Sequence, residues 1–237
     1  GRIVARAAAE HLTPITLELG GKSPVYIDET VAPADAAKRI VWAKYLNAGQ
    51  TCVAPDYVLG TREVLARLAP HLADAIHSLY GNAVQRNPDY GRIVNDAQFA
   101  RLVGYLADGT VVAGGGSDAS ERFIEPTVLA GVARDSAVMR DEIFGPILPL
   151  VEVSDIDDAL EFVSGRDKPL AAYVFSDDRS VRARWERETS SGALTFNAPI
   201  MHLTVPDLPF GGVGPSGQGA YHGERSFLTF SHEKAVL

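Results

Sequence analysis

Short β-branched and aromatic runs alternate along this chain with longer stretches of helical period, and no other feature constrains its fold as strongly. "PVYID" (24–28), "YVLGT" (57–61), "TVLAGV" (127–132), "ILPLVEV" (147–153), "AAYVF" (171–175) and "ALTFN" (193–197) read as strands. "ITLEL" (15–19) and "TVVAGG" (110–115) read the same way. Pro33 opens a helix to about Asn47, with Ala37, Ile40, Val41 and Tyr45 on one face. Other helices are expected from residue 1 in "GRIVARAAAEHL", from about Thr61 to Tyr80 with an interruption at Pro70, and from about Asn95 to Ala107. Two more are expected from Ser154, with Asp157 completing a capping-box variant, to about Ser164, and from about Asp178 to Thr189. Strands joined through helices require right-handed crossovers. The expected fold class is therefore α/β, a mainly parallel sheet with helices on both faces. An irregular Gly- and Pro-rich strap follows from about Pro206.

Charge and cysteine content narrow the partners. The net charge is −8 and no basic stretch offsets it, so no nucleic acid partner is expected. No apolar run reaches the roughly 20 residues that span a bilayer, and no membrane association is expected. A single cysteine among 237 residues cannot form an internal disulfide, which makes a reducing, cytoplasmic setting the default expectation. No His pair has zinc-ligand spacing, and no metal is expected.

That cysteine, Cys52, lies in "NAGQTCVAPDY", between a helix and a strand. A lone Cys is commonly a small buried hydrophobe. Cys52 instead follows polar Gln50 and Thr51 in a loop held by regular elements, where reactive groups collect. A nucleophilic role requires that something lower its pKa or take its proton. Glu18, in "LELGGK", and Glu142, in "DEIFGPILP", are the acidic candidates, and each on its own reads more readily as a solvated acid. "GVGPSG" (212–217) fits G-x-G-x-x-G, yet no helix is expected at the required place, Pro215 disrupts the pattern and no acidic ribose partner is read about 20 residues on. A phosphate-binding role is rejected.

Taken in order, "LELGGKSP", "GQTC", "EIFGPILP" and "PFGGVGPSGQGAYHGERSFLTFSH" resemble the aldehyde dehydrogenase family across essentially the whole chain, and the class 3-like branch in "GQTCVAPDY", "NAPIMH" and "YHGERSFLTFSHEKAVL". The resemblance implies an oxidoreductase that converts an aldehyde to a carboxylic acid through a thiohemiacetal and a thioester on Cys52. It makes Glu18 the general base toward water. Glu142 is implied on the nicotinamide-ribose hydroxyls and Phe144 at the nicotinamide end of NAD or NADP. Asn197 and His202 fall near the pocket without a chemical step, and Gly211, Gly212 and Gly217 are read as backbone packing. The implied division is a stub of cofactor-binding domain (1–18), a catalytic domain (19–205) and a C-terminal segment (206–237), with a homodimer for the full-length protein. On this reading the chain is a C-terminal portion that alone binds cofactor poorly and turns over little. Two alternatives stand beside it: a non-catalytic truncated remnant engaged only in subunit contacts, and a cofactor-independent thiol esterase.

Overall fold

Seven of the expected strands lie side by side in one sheet. The computed structural model describes residues 1–237 and contains helices α1 (Arg2–Glu10), α2 (Pro33–Tyr45), α3 (Arg62–Tyr80), α4 (Asp96–Tyr105), α5 (Ile156–Ser164), α6 (Arg179–Glu188) and α7 (Gly223–Thr229). Its strands are β1 (Leu17–Glu18), β2 (Pro24–Ile27), β3 (Tyr57–Gly60), β4 (Thr110–Ala113), β5 (Ser117–Asp118), β6 (Phe123–Ile124), β7 (Thr127–Ala130), β8 (Ile147–Glu152), β9 (Ala171–Phe175), β10 (Ala193–Phe196) and β11 (Gly217–Gln218). Seven of them form one sheet in the order β10-β9-β2-β3-β8-β7-β4. Every neighbouring pair is parallel except β4 with β7 at one edge. The α/β fold with a mainly parallel sheet is thus present.

Period-two alternation divides the strand side chains between two cores. Val25 and Ile27 of β2, Val58 of β3 and Leu148 and Leu150 of β8 join residues of α2 and α3 on one face. Tyr26, Leu59, Ile147 and Val151 point to the other, where they meet Leu102 of α4, Leu160 of α5 and Trp185 of α6. The sheet is covered on both sides, as parallel sheets require.

Several local expectations are corrected. α3 runs through Pro70 without a break. Pro70 and Ala66 both stand on the exposed side of the helix, so the Ala66 carbonyl that Pro70 leaves without a donor can turn to water. The cap of α5 is Asp155, whose carboxylate accepts from the Asp158 N–H at 2.9 Å, one residue later than the Ser154 expectation. α2 ends at Tyr45 rather than near Asn47. The strand expected over 15–19 is reduced to Leu17–Glu18, and the C-terminal strap contains its partner: β1 pairs antiparallel with β11, Glu18 opposite Gly217. That pairing needs Gly217, because a Cβ there would meet the Leu17 carbonyl oxygen at 2.4 Å.

Candidate active site

Three loops converge at the amino ends of three neighbouring strands. "LELGGKSP" leads into β2, "GQTCVAPDY" into β3 and "EIFGPILP" into β8. Since β2, β3 and β8 are adjacent and parallel, their amino ends share one edge of the sheet. Open α/β sheets usually bind ligands beyond their carboxyl ends. Here the candidate chemistry gathers at the opposite edge.

Cys52 is placed by an irregular turn. After α2 the chain passes through three successive left-handed residues, Asn47 (φ 54°), Ala48 (φ 53°) and Gly49 (φ 75°). The first two are not glycine, and each such residue costs on the order of 1 kcal/mol. Gln50 holds the turn: its side chain donates to the carbonyls of Arg92 (2.9 Å) and Asn47 (3.2 Å) and accepts from the Val94 N–H (2.9 Å). The Tyr173 hydroxyl donates to the Val53 carbonyl and fixes the next peptide. The thiol is left half-buried. Burial pushes it above its ordinary range, Glu18 and Glu142 push it further, and the N–H groups of Cys52 and Val53 offset part of this. Of the two ways to a nucleophile that the sequence left open, this structure supplies no lowering of the thiol pKa. What it supplies are two carboxylates in the electrostatic field of the thiol.

Glu142 comes from the loop before β8. Its carboxylate lies against Gly20, where a Cβ would meet Oε2 at 2.6 Å. Burial, followed by the charge of Asp56, pushes it up to about 7, against the Gly21 N–H, Lys44 and Lys22. The next peptide is held from both sides: the Ile143 N–H donates to Asp56 (3.0 Å), and Arg101 donates to the Ile143 carbonyl (2.6 Å). Lys22 completes the bracket by pairing with Asp56 and donating to the carbonyls of Val138 and Asp141, both at 2.9 Å. Lys44 stands behind this group, fully buried, its Nζ without a hydrogen-bond partner. Burial pulls its pKa down to about 8, partly opposed by Asp56.

Glu18 ends β1. No hydrogen bond reaches its buried Oε1. Burial raises its pKa, while His222 and the Tyr221 hydroxyl favour the carboxylate. Phe144 adopts a left-handed backbone (φ 49°) and is 41% exposed. It is one of eight non-glycine residues of the chain with positive φ. Glu142 also borders a groove of 770 Å³ lined with Gly21, Lys22, Arg140 and Arg166.

The structure therefore brings Cys52, Glu18 and Glu142 into one electrostatic neighbourhood, with Phe144 two residues beyond Glu142. Asn197 is occupied elsewhere: it accepts from the Ser176 N–H (3.1 Å) and donates to Asp177 (3.0 Å). His202 is buried with neither ring nitrogen bonded. Gly211 and Gly212 do serve backbone packing, since a Cβ on either would stand 2.2 Å from a carbonyl oxygen. Lys44, Tyr221 and His222 were not identified from the sequence. Lys44 could have been, because it falls four residues after Ile40 and three after Val41, inside the apolar stripe of α2.

Comparison with known proteins identifies the family. The model of the aldehyde dehydrogenase family matches residues 1–236. The chain is 54% identical over its whole length to rat aldehyde dehydrogenase family 3 member B1, covering 51% of it. It is 49% identical to the rat dimeric NADP-preferring aldehyde dehydrogenase, covering 52%. A substrate-bound structure of Staphylococcus aureus AldH superposes with a TM-score of 0.96 at 50% identity, over 99% of this chain and 52% of the other. The chain spans about half the length of the curated relatives it matches. It belongs to the aldehyde dehydrogenase family.

Proposed function

We propose that this chain carries the acyl-transfer chemistry of an NAD(P)-dependent aldehyde dehydrogenase. Cys52 is the nucleophile and Glu18 the base toward water. One observation carries the reading: the only cysteine is half-buried and lies in the field of two carboxylates, Glu18 and Glu142, contributed by different motifs.

The Cys52 sulfur adds to the aldehyde carbon as its proton passes to a carboxylate, leaving the former carbonyl oxygen as an alkoxide. The Cys52 N–H is available to that oxygen, a preorganised donor. Glu142 and Phe144 suit one end of a nicotinamide nucleotide, offering an acceptor to paired ribose hydroxyls and an exposed flat ring. When bound, that nucleotide supplies the acceptor for the hydride. Once a thioester stands on Cys52, Glu18 takes a proton from water, the water oxygen bonds to the acyl carbon, the C–S bond breaks and the acid leaves. Sulfur suits both halves, being nucleophilic at modest basicity and a good leaving group from an acyl carbon.

The overall oxidation belongs to the whole protein, of which this chain would supply the thiol, the base and the nicotinamide-end contacts. A relative named as dimeric and NADP-preferring supports a dimer and a nicotinamide cofactor for that protein. The test is acyl trapping. Incubation with p-nitrophenyl acetate, followed by peptide mass spectrometry, is expected to place an acetyl group on Cys52, and Glu18→Gln to make that adduct accumulate. No adduct, or one on another residue, would remove the proposal.

A further inference from the structure

β1, which carries Glu18, has only two residues and lies outside the main sheet. Gly20 and Gly21 follow it, a link with wide conformational freedom. Just beyond those glycines the Glu18 motif is tied to the Cys52 motif. Pro24 of β2 stands opposite Tyr57 of β3. One residue earlier the Asp56 N–H donates to the Ser23 carbonyl at 2.8 Å. Beside that bond the Lys22 ammonium pairs with Asp56 Oδ2. Lys22 follows Glu18 by four residues, and Asp56 follows Cys52 by four. The same two side chains reach the third motif. Lys22 donates to the carbonyls of Val138 and Asp141, both at 2.9 Å, and Asp56 Oδ1 accepts from the Ile143 N–H at 3.0 Å. Between Asp141 and Ile143 stands Glu142, whose carboxylate lies against Gly20. All three donors of the ammonium and both oxygens of the carboxylate are engaged. The pair is nearly closed to water, with the Lys22 side chain 10% exposed and that of Asp56 4%.

A buried ion pair is weak evidence for stability, because removing both charges from water costs about as much as their attraction gains. What a fully engaged pair does is permit one geometry, since shifting any partner leaves a buried charge short of a hydrogen bond. Here that geometry joins the three loops that carry Glu18, Cys52 and Glu142. We propose that Lys22 and Asp56 are positioning residues: their pair sets the Glu18 carboxylate against the acyl group on Cys52 and seats the Glu142 loop on both. The inference rests on Cys52 and Glu18 acting as described above. Both residues act through the loops they join. In deacylation one O–H bond of water breaks with its proton going to Glu18, the C–O bond forms at the acyl carbon, and the sulfur departs with the C–S electron pair. That step needs base, water and thioester in line. Acylation by an activated ester starts from the thiol itself and depends less on where Glu18 stands.

p-Nitrophenyl acetate separates the two steps. Release of p-nitrophenolate in the first turnover gives the acylation rate, and loss of the acetyl group from the isolated adduct, followed by intact mass, gives the deacylation rate. Lys22→Met keeps the stem and removes the ammonium. Asp56→Asn keeps the size and the acceptor for the Ile143 N–H, and removes the charge. In each variant the ratio of deacylation to acylation is expected to fall about 10- to 100-fold, the order that a small misplacement of a catalytic group costs. The double variant is expected to lose no more than the worse single one, because both substitutions break one device. A merely structural role would lower the two rates together and leave the ratio where it was. An unchanged ratio in Asp56→Asn, or effects that multiply in the double variant, overturns the proposal. Should Lys22→Met fail to fold, judged by circular dichroism, Asp56→Asn decides. If the wild type takes no acetyl group on Cys52, or sheds it no faster than Glu18→Gln does, the site reading itself fails, and the positioning role with it.

Discussion

The carbonyl oxygen of Gly145 stands where a side chain on Gly49 would have to go, 2.2 Å from the position of an ideal Cβ. Gly49 precedes Cys52 by three residues, and Gly145 follows Glu142 by three. The loop that presents the thiol and the loop that presents the carboxylate are therefore seated on one another through bare backbone. Gly49 also holds φ 75°, which an L side chain resists. Gly49→Ala is expected to cost about 2–4 kcal/mol from backbone strain and overpacking combined. Urea denaturation measures this, and an unchanged midpoint would show that the two loops are not seated as described.

Glu142 makes the protein less stable once it is ionised. Its carboxyl is raised from an ordinary 4.5 to about 7, so the folded state holds that proton more tightly than the unfolded chain does. Its favourable contribution is complete below about pH 4.5 and is lost as pH rises through about 7. Glu142→Gln removes the dependence. The variant is expected to exceed the wild type by about 1–3 kcal/mol at pH 8, allowing for solvent screening of a partly exposed group, and to match it near pH 4.5. Denaturation at both pH values checks this; a constant difference would refute it.

Lys44 has the opposite sign. Its folded pKa, about 8, lies below the ordinary 10.5, so its burial costs most below pH 8 and the cost disappears as pH climbs to about 10.5. Relative to Lys44→Met, the wild type should gain about 3 kcal/mol over that interval. Comparing the pair at both ends cancels the tyrosines that titrate nearby. Parallel stability curves would mean that the ammonium reaches water.

Strand–helix alternation was enough to read the parallel sheet, because periods of 2 and 3.6 residues are local properties. Cys52, Glu18 and Glu142 were legible as candidates for another reason: each sits in a compact motif, and the motifs taken in order resemble one family. What could not be read was adjacency. Nothing local states that β2, β3 and β8 are neighbours, so nothing local brings Glu18 and Glu142 to the same sulfur. The pair that ties the C-terminal segment to Glu18, β1 with β11, is defined by only two strand residues on each side. Pro70 shows the reverse failure. A strong local rule against proline inside a helix yields where the orphaned carbonyl faces water.

The field at Cys52 yields the prediction most exposed to failure. Burial, Glu18 and Glu142 all hold the thiol above its ordinary pKa, so the resting chain should react with iodoacetamide more slowly than a model thiol at pH 7.5. Neutralising either carboxylate removes one of the three causes. Glu18→Gln and Glu142→Gln are each expected to raise the alkylation rate at that pH by about 2- to 10-fold, since a thiol below its pKa gains about tenfold in thiolate each time that pKa drops by one. The effect runs opposite to that on turnover, where Glu18→Gln should slow deacylation. A general loosening of the fold would expose the thiol and mimic the rise. The rate is therefore measured across pH, where loosening lifts the whole curve and loss of a carboxylate moves its midpoint down. If the midpoint stays put in both variants, the carboxylates do not face the sulfur, and the reading of this site fails with them.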